Sequence, residues 1–140
     1  GDLNYRVDLD RSDADNALTA GDLHLLKARD QLDNAMKNGD AFAGYVEAER
    51  DFLPTYKFDK RSDVYDTSEK RRVPSWTDRV LVASKECAAI LKYESVSDLR
   101  WSDHRPVAAT VALAVDPAAR SPAGFSRKEA PEKSEVCSVM

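Results

Sequence analysis

Apolar residues along the chain follow helical spacing in one region and form strand-like runs in others. In residues 18–36 they recur on one side of a helical pattern, and the following Asn38-Gly39 is typical of a helix end, so we predict one amphipathic helix there. A second short helix is expected over residues 41–50. Apolar runs predict strands at 79–83, 89–93 and 106–115. Strands interspersed with helices predict a mixed α/β fold.

The two ends of the chain differ from this pattern. The first seven residues alternate between polar and apolar side chains and predict a strand, and since a native domain seldom begins inside a strand, we expect the domain to extend upstream of Gly1. Residues 51–76, with Pro54 and Pro74, are typical of a loop. Residues 116–140 contain three prolines and few large apolar residues, so we expect a flexible tail after a domain of residues 1–115.

Composition and charge exclude several classes of protein. The chain has 140 residues, 42% of them hydrophobic, without the roughly 18 uninterrupted apolar residues of a membrane span and without a signal-peptide pattern. Cys87 and Cys137 lie far apart and outside any CxxC or Cys/His cluster, which excludes a disulfide framework and a structural zinc site. The net charge of −4 argues against a nucleic-acid partner bound through overall charge. An anionic ligand would need a local cluster of cations.

The first candidate cluster lies at the start of the chain. In an extended segment Asp2 and Asn4 project from the same side, so a carboxylate and an amide point to one place. Such a pair suits holding a water molecule, because the carboxylate accepts its proton and the amide orients it. The alternative is a capped turn, since both residue types are common at strand ends.

The second candidate cluster is basic. Six cations and four anions lie in residues 57–72, which makes this segment locally positive within an acidic chain. Lysine supplies a point charge, arginine a two-pronged donor, and the neighbouring Tyr56 a hydroxyl for phosphate oxygens. The alternative is a solvated charged loop. The cations are Lys57, Lys60, Arg61, Lys70, Arg71 and Arg72.

The third candidate cluster combines two distant acids with a histidine. His104 lies between Asp103 and a basic residue just before the longest predicted strand, so its ring can be fixed at a sheet edge. Asp78 could bind one ring nitrogen and leave the other for a phosphate, while Asp103 could ligate a hard cation. The alternative is an ordinary Asp-His turn.

Four motifs follow one another in a specific order: GDLNYR at 1–6, PTYK at 54–57, KxRxPSWTDR at 70–79 and SDHRP at 102–106. Together they resemble the inositol polyphosphate 5-phosphatases, since four ordered motifs rarely match by chance. The resemblance implies the DNase I-like fold, a two-sheet α/β sandwich of magnesium-dependent phosphatases and nucleases. Residues 1–115 would form the C-terminal half of that catalytic domain.

The resemblance also implies roles in the reaction. Asp2 and Asn4 would position and activate the attacking water. His104 would bind and polarise the scissile 5-phosphate, with Asp78 orienting its ring. Asp103 would lie on the metal side of the site, where the expected cofactor Mg²⁺ neutralises charge on the phosphoryl group. Water would attack the phosphomonoester directly, without a covalent enzyme intermediate.

The basic segment would supply specificity. Four residues match positions that the family uses to bind the neighbouring 4-phosphate: Tyr56, Lys57, Lys70 and Arg72. Nuclease relatives lack this pair of motifs. The expected substrates are therefore phosphoinositides or soluble inositol polyphosphates, and nucleic acid is not expected as a partner.

Two departures from the family pattern change the expectation. Thr77 stands where many members have cysteine, a small-polar exchange that should leave Asp78 in place. The earlier half of the family domain, with the glutamate that anchors magnesium, is not in this sequence. We therefore expect the isolated chain to expose a large apolar patch, to be poorly stable and to be inactive, while its parent is a phosphatase.

The last four residues predict a location. Cys137-Ser138-Val139-Met140 resembles a C-terminal prenylation signal, and methionine in the last position favours a farnesyl group on Cys137. The alternative is a free cysteine near a frayed end. Basic residues of the tail are matched by acidic ones, and one prenyl chain alone binds membranes marginally. We expect a cytoplasmic protein attached reversibly to a cytosolic membrane face.

Two other functions stay open from the sequence. One is a catalytically inert phosphoinositide-binding or scaffold module of the same family. The other is a different DNase I-like phosphodiesterase, such as a nuclease or a sphingomyelinase. Phosphate release from an inositol lipid, compared with nicking of plasmid DNA, separates them.

Overall fold

The computed structural model describes residues 1–83 and 88–115 and, for their backbone, residues 138–139. Among the described residues, three helices are followed by five strands, and this mixture of helices and strands confirms the predicted α/β class. The elements are α1 (Arg11–Ala20), α2 (Leu23–Ala28), α3 (Gln31–Asn38), β1 (Tyr45–Val46), β2 (Val82–Ala83), β3 (Ala88–Ser95), β4 (Val107–Leu113) and β5 (Ser138–Val139).

The single helix predicted over residues 18–36 is wrong, because local capping divides this region into three helices. Gly21 ends α1 in the left-handed conformation at φ 69°. Asp22 and Asp30 then begin α2 and α3, each accepting a hydrogen bond from the backbone amide three residues later. The predicted stop is confirmed, since Gly39 ends α3 at φ 79°.

The helix predicted over residues 41–50 is also wrong. Phe42 and Gly44 take positive φ values of 52° and 83°, which interrupts any helix there. Tyr45 and Val46 then form β1, which pairs antiparallel with β2. Aromatic and β-branched side chains favour this extended conformation.

Strands β3 and β4 form an antiparallel pair from Ala88↔Leu113 to Ser95↔Val107, with a register shift between Ile90 and Lys92. β5 pairs with the other edge of β4. The strand predicted at 79–83 is shorter than expected, and residues 51–76 contain no helix or strand, as predicted. The strand predicted over the first seven residues is wrong, because only single bridges occur there, at Asp2 and Val7.

The core lies where α1 and α2 pack beside the first residues of the chain. Trp76 is fully buried, and its indole Nε1 donates to the carbonyl oxygen of Phe52 at 3.0 Å. Burying so large a side chain anchors the motif that contains it. The buried apolar cluster comprises Val7, Ala14, Ala17, Leu26 and Trp76.

Arg79 lies in a buried network of charges. Its guanidinium contacts the carboxylates of Asp30, Asp33 and Glu47 at 2.9, 2.9 and 2.6 Å. Glu47 also accepts a hydrogen bond from the hydroxyl of Tyr93 at 2.7 Å. Burial alone would lower the pKa of Arg79, but its hydrogen bonds to Glu47 and the charge of Asp30 raise it above its usual value. The network ties α3 and β3 to the backbone that follows the predicted catalytic carboxylate.

Several large apolar side chains on or after β3 and β4 are exposed, among them Leu91, Leu113 and Val115.

Within the described ranges, no helix is both long and apolar enough to cross a bilayer. The prenylation site predicted at Cys137 and residues 116–137 of the predicted tail lie outside the described residues.

Candidate active site

The four sequence motifs lie side by side. Asp2 forms an antiparallel bridge with Asp78, and Tyr56 bridges both Ser75 and His104. The backbone segments therefore lie in the order 1–6, 70–79, 54–57 and 102–106. This arrangement explains how residues spread over 104 positions converge on one surface.

His104 and Asp78 form the centre of this surface. His104 Nδ1 lies 2.7 Å from Asp78 Oδ2, which leaves the other ring nitrogen, Nε2, for a ligand. The Thr77 hydroxyl donates to Asp78 Oδ2 at 3.0 Å. Thr77 thus helps to hold the Asp78 carboxylate beside His104. The side chains of His104 and Asp78 remain 27% and 24% exposed, so the pair can meet a ligand from solvent.

The local charges favour a protonated imidazole. The hydrogen bond that His104 donates to Asp78 raises the pKa of His104 against the effect of burial, and the charges of Asp103 and Asp2 add to this rise. Burial acts to raise the pKa of Asp78, but the hydrogen bond and charge of His104 outweigh it and lower that pKa. The two shifts stabilise an imidazolium–carboxylate pair, which suits binding a phosphate dianion.

Tyr56 joins this pair to the start of the chain. Its ring centroid lies 4.5 Å from that of His104, with a 45° tilt. The guanidinium carbon of Arg6 lies 4.4 Å from the centre of the Tyr56 ring, on its face. Arg6 also donates to Asn4 Oδ1. A layer of arginine, tyrosine and histidine therefore connects Asn4 with the candidate catalytic ring.

Asp2 and Asn4 are adjacent, but not on one face of a strand as predicted. Asn4 takes a left-handed φ of 58°, and its backbone amide donates to Asp2 Oδ1 at 2.9 Å. This local side-chain contact competes with regular strand pairing, as is common for aspartate and asparagine. Both side chains are exposed at the edge of the site. The predicted alternative of a capped turn therefore describes their backbone.

The basic segment is organised around the buried carboxylate of Asp66. Lys57 Nζ lies 3.7 Å from Asp66 Oδ1, and the backbone amide of Arg72 donates to Asp66 Oδ2 at 2.8 Å. The side chains of Lys70 and Arg72 are exposed. The structure therefore links Lys57 to the loop that carries the two other predicted cations, and Tyr56 links it to His104.

A divalent-cation site is not complete in the described part of the chain. Asp103 lies next to His104, and its Oδ1 accepts a hydrogen bond from the Ser102 hydroxyl at 3.3 Å. Among residues 1–83 and 88–115, no three His, Cys, Asp or Glu side chains form a group that could hold a metal ion. A hard cation generally takes six or more oxygen ligands, so these residues alone do not fit it.

Sequence reasoning missed two residues at the site. Arg6 belongs to the GDLNYR motif, yet its contact with Tyr56 depends on folding over 50 positions. Asp66 was counted only as one anion of a charged segment, although its side chain is 1% exposed. A carboxylate amid many cations was the one available signal, because buried acids are normally paired.

Comparisons with known proteins place this surface in a family. Residues 1–110 match the model described as endonuclease/exonuclease/phosphatase family 2. The chain belongs to this family. Its α/β class agrees with this match, and the similar proteins below confirm the predicted resemblance to inositol polyphosphate 5-phosphatases.

Three curated relatives are similar in sequence, and two of them are named as 5-phosphatases. The chain is 46% identical over 112 residues to synaptojanin of Caenorhabditis elegans, which covers 78% of this chain and 10% of that protein. It is 42% identical to a phosphatidylinositol 4,5-bisphosphate 5-phosphatase of Saccharomyces cerevisiae, covering 76% and 11%. It is 44% identical to the rat phosphatidylinositol polyphosphate 5-phosphatase type IV, covering 76% and 17%. The chain thus spans less than a fifth of the length of these relatives.

Two solved structures share the fold. The inositol polyphosphate 5-phosphatase domain of a synaptojanin, in complex with inositol (1,4)-bisphosphate and calcium, matches with a TM-score of 0.74 and 42% identity, over 81% of this chain and 34% of that one. The ferrous NO complex of a Cimex nitrophorin matches with a TM-score of 0.69 and 37% identity, over 80% and 38%. These matches confirm the predicted fold, and the second shows that relatives at similar identity differ in function.

Proposed function

We propose that this chain contributes the candidate active site of a phosphatase that hydrolyses the 5-phosphate of phosphoinositides or soluble inositol polyphosphates. The observation that carries the proposal is the pairing of His104 with Asp78 beside Tyr56 and the basic segment. The similar proteins support it, since the names of several refer to 5-phosphatases. A phosphate-binding imidazolium next to several cations is suited to an anionic substrate.

The reaction proceeds by direct attack of water. His104 Nε2–H donates to a phosphoryl oxygen, and Asp78 holds the ring in this orientation. Asp2 accepts a proton from the attacking water, which Asn4 orients. The oxygen of water bonds to phosphorus as the bond from phosphorus to the inositol oxygen breaks, and that oxygen takes a proton from solvent. The products are inorganic phosphate and an inositol with a free hydroxyl group.

Specificity comes from a second phosphate. We assign Tyr56, Lys57, Lys70 and Arg72 to the 4-phosphate of the substrate. Tyr56 packs against His104, so a ligand on His104 lies close to the Tyr56 ring, and Lys57 follows Tyr56 directly in the chain. This proximity supports a substrate with phosphates on adjacent ring positions.

A divalent cation, which we propose to be Mg²⁺, would neutralise charge on the phosphoryl group. Asp103 would lie on the side of the site that holds this cation. The described residues do not complete its ligand set. The 140-residue chain alone is therefore expected to be inactive, and the activity is expected of the longer protein that carries it.

Phosphate release tests the proposal. A water-soluble inositol lipid with 4- and 5-phosphates is incubated with the 140-residue chain and with the longer natural protein, each with Mg²⁺ or EDTA. The proposal requires Mg²⁺-dependent release by the longer protein and none by the chain alone. Phosphate release that persists in EDTA would contradict the proposed need for a divalent cation. Nicking of plasmid DNA without phosphate release would favour a nuclease.

A second candidate is a phosphoinositide-binding module without catalysis. The observation that favours it is the similarity to a nitrophorin, a relative whose name is not that of a phosphatase. It requires that the longer protein bind inositol (1,4)-bisphosphate but release no phosphate in any divalent cation. Binding with turnover would exclude this candidate.

We further propose that Cys137 is farnesylated and holds the protein reversibly on a cytosolic membrane face. The support is the sequence Cys-Ser-Val-Met at positions 137–140. Replacement Cys137→Ser is expected to abolish incorporation of a labelled farnesyl group and to shift the protein from membrane to soluble fractions. Labelling that survives this replacement would contradict the assignment.

A further inference from the structure

Asp66 occupies a buried position beneath the loop of residues 66–72. Its Oδ1 accepts from the backbone amide of Ser68 at 3.1 Å, and its Oδ2 accepts from that of Arg72 at 2.8 Å. One carboxylate thereby binds the start and the end of the loop. The Asp66 amide also donates to the carbonyl oxygen of Lys57 at 2.9 Å, which fixes the loop against the PTYK segment.

The same carboxylate faces a cation of the candidate substrate site. Lys57 Nζ lies 3.7 Å from Asp66 Oδ1. Burial acts to raise the pKa of Asp66, but hydrogen bonds from Ser68 and Arg72 and the charge of Lys57 lower it to about 2. Asp66 therefore stays ionised at any pH at which an enzyme would be assayed.

Arg11, at the start of α1, holds the loop from its other side. Its guanidinium donates to the carbonyl oxygens of Asp66 and Arg72 at 2.8 and 3.1 Å. Asp15 accepts from Arg11 Nε at 2.8 Å and orients the guanidinium. Both ends of the loop are thus bound twice, once through their amides and once through their carbonyls.

We infer that Asp66 is a positioning residue for substrate specificity. It holds Lys57 and the loop that carries Lys70 and Arg72 in the arrangement that binds one phosphate group, and Arg11 supports the same loop. None of the four motifs contains Asp66. The inference rests on the proposed function, because it concerns which substrate the same site selects. Asp66 contacts the Lys57 ammonium and the backbone amides of Ser68 and Arg72, and not the reacting atoms. Its loss should therefore weaken selection of the second phosphate and spare the chemical step.

The test compares two substrates in the longer natural protein, one with phosphates at positions 4 and 5 and one with a 5-phosphate alone. Replacement Asp66→Asn keeps the size of the side chain but removes its charge. It should lower kcat/KM for the bisphosphate about tenfold, the usual effect of one charge-assisted hydrogen bond, and leave the monophosphate within about twofold. The matched control is Glu69→Gln, an exposed carboxylate of the same loop, which should change neither value.

A merely structural role gives a different result. Equal losses on both substrates, or a lowered melting temperature with unchanged selectivity, would overturn the inference. If Asp66→Asn does not fold, Arg11→Gln replaces it and must reduce selectivity in the same direction. If neither the wild type nor Glu69→Gln releases phosphate, the proposed function is contradicted instead. Calorimetric binding of inositol (1,4)-bisphosphate then tests the inference on Asp66, because Asp66→Asn must still weaken this binding about tenfold.

Discussion

His104 Nδ1 lies 2.7 Å from Asp78 Oδ2, although the two residues are 26 positions apart. Tyr56 forms backbone bridges with both Ser75 and His104, and these hold the two segments at this distance. The contact fixes the imidazole ring and raises the pKa of His104. The central prediction is that this pair binds the scissile phosphate.

Replacement Asp78→Asn should lower the pKa of His104. The hydrogen bond that the imidazole donates to the carboxylate is the largest cause of its rise above 6.5, and asparagine carries no charge to replace that carboxylate. NMR titration of the imidazole, in EDTA to exclude bound cations, measures the change. Asp98→Asn, at an exposed aspartate of the loop after β3, is the control. An unchanged His104 pKa in Asp78→Asn would show that the pair is not formed in solution.

The stability of the protein should depend on pH through the same pair. Because the folded-state pKa of His104 is raised, its contribution is full below 6.5 and is lost as pH rises through the folded value. Because that of Asp78 is lowered, its contribution is present above 3.8 and is lost as pH falls through the folded value. Urea unfolding should therefore show the wild type more stable than Asp78→Asn by on the order of 1 kcal/mol near pH 5. The difference should shrink toward high pH, and a constant difference would contradict this linkage.

Tyr56 should separate binding from catalysis. Replacement Tyr56→Phe keeps the ring against His104 and under Arg6 but removes the hydroxyl assigned to the 4-phosphate. We expect kcat/KM for a 4,5-bisphosphate to fall about tenfold, with a 5-monophosphate changed less than about twofold. Tyr56→Ala should impair both substrates, because it also removes the packing of His104. Equal effects of Tyr56→Phe on both substrates would contradict the assignment of the hydroxyl.

The buried network of Arg79 should dominate local stability. Replacement Arg79→Met removes the cation paired with the buried Asp30, while Arg50 still contacts Asp33 and Glu47. It should lower the free energy of unfolding by about 3–5 kcal/mol, because it leaves a buried carboxylate uncompensated. The control Arg100→Met breaks an exposed pair with Asp63 and should cost no more than about 1 kcal/mol. Urea denaturation of both variants measures the difference. Equal losses in the two variants would show that the network does not have this role.

The sequence predicted the contact between Asp78 and His104 but not the division of residues 11–38 into three helices. The proximity of Asp78 to His104 was expected from four ordered motifs, which depend on local residue type and order. The three helices were not expected, because Asp22 and Asp30 cap helices only when the chain turns and brings the amide three residues later to their side chains. Periodicity records apolar positions and ignores such contacts.

The supporting residues of the site depend on long-range packing, which a single sequence does not show. Arg6 reaches Tyr56 only after segments 1–6 and 54–57 fold together. Asp66 gains its role through burial under a loop and its distance to Lys57. In the sequence, both residues are indistinguishable from ordinary charged residues of a protein surface.

The most direct test is replacement of His104 in the longer natural protein, with phosphate release from water-soluble phosphatidylinositol 4,5-bisphosphate as the measurement. His104→Ala should lower kcat at least about a hundredfold with little loss of substrate binding. His24→Ala, at an exposed histidine of α2, is the matched control and should retain full turnover. Near-normal turnover by His104→Ala would contradict the proposed role of the histidine–aspartate pair.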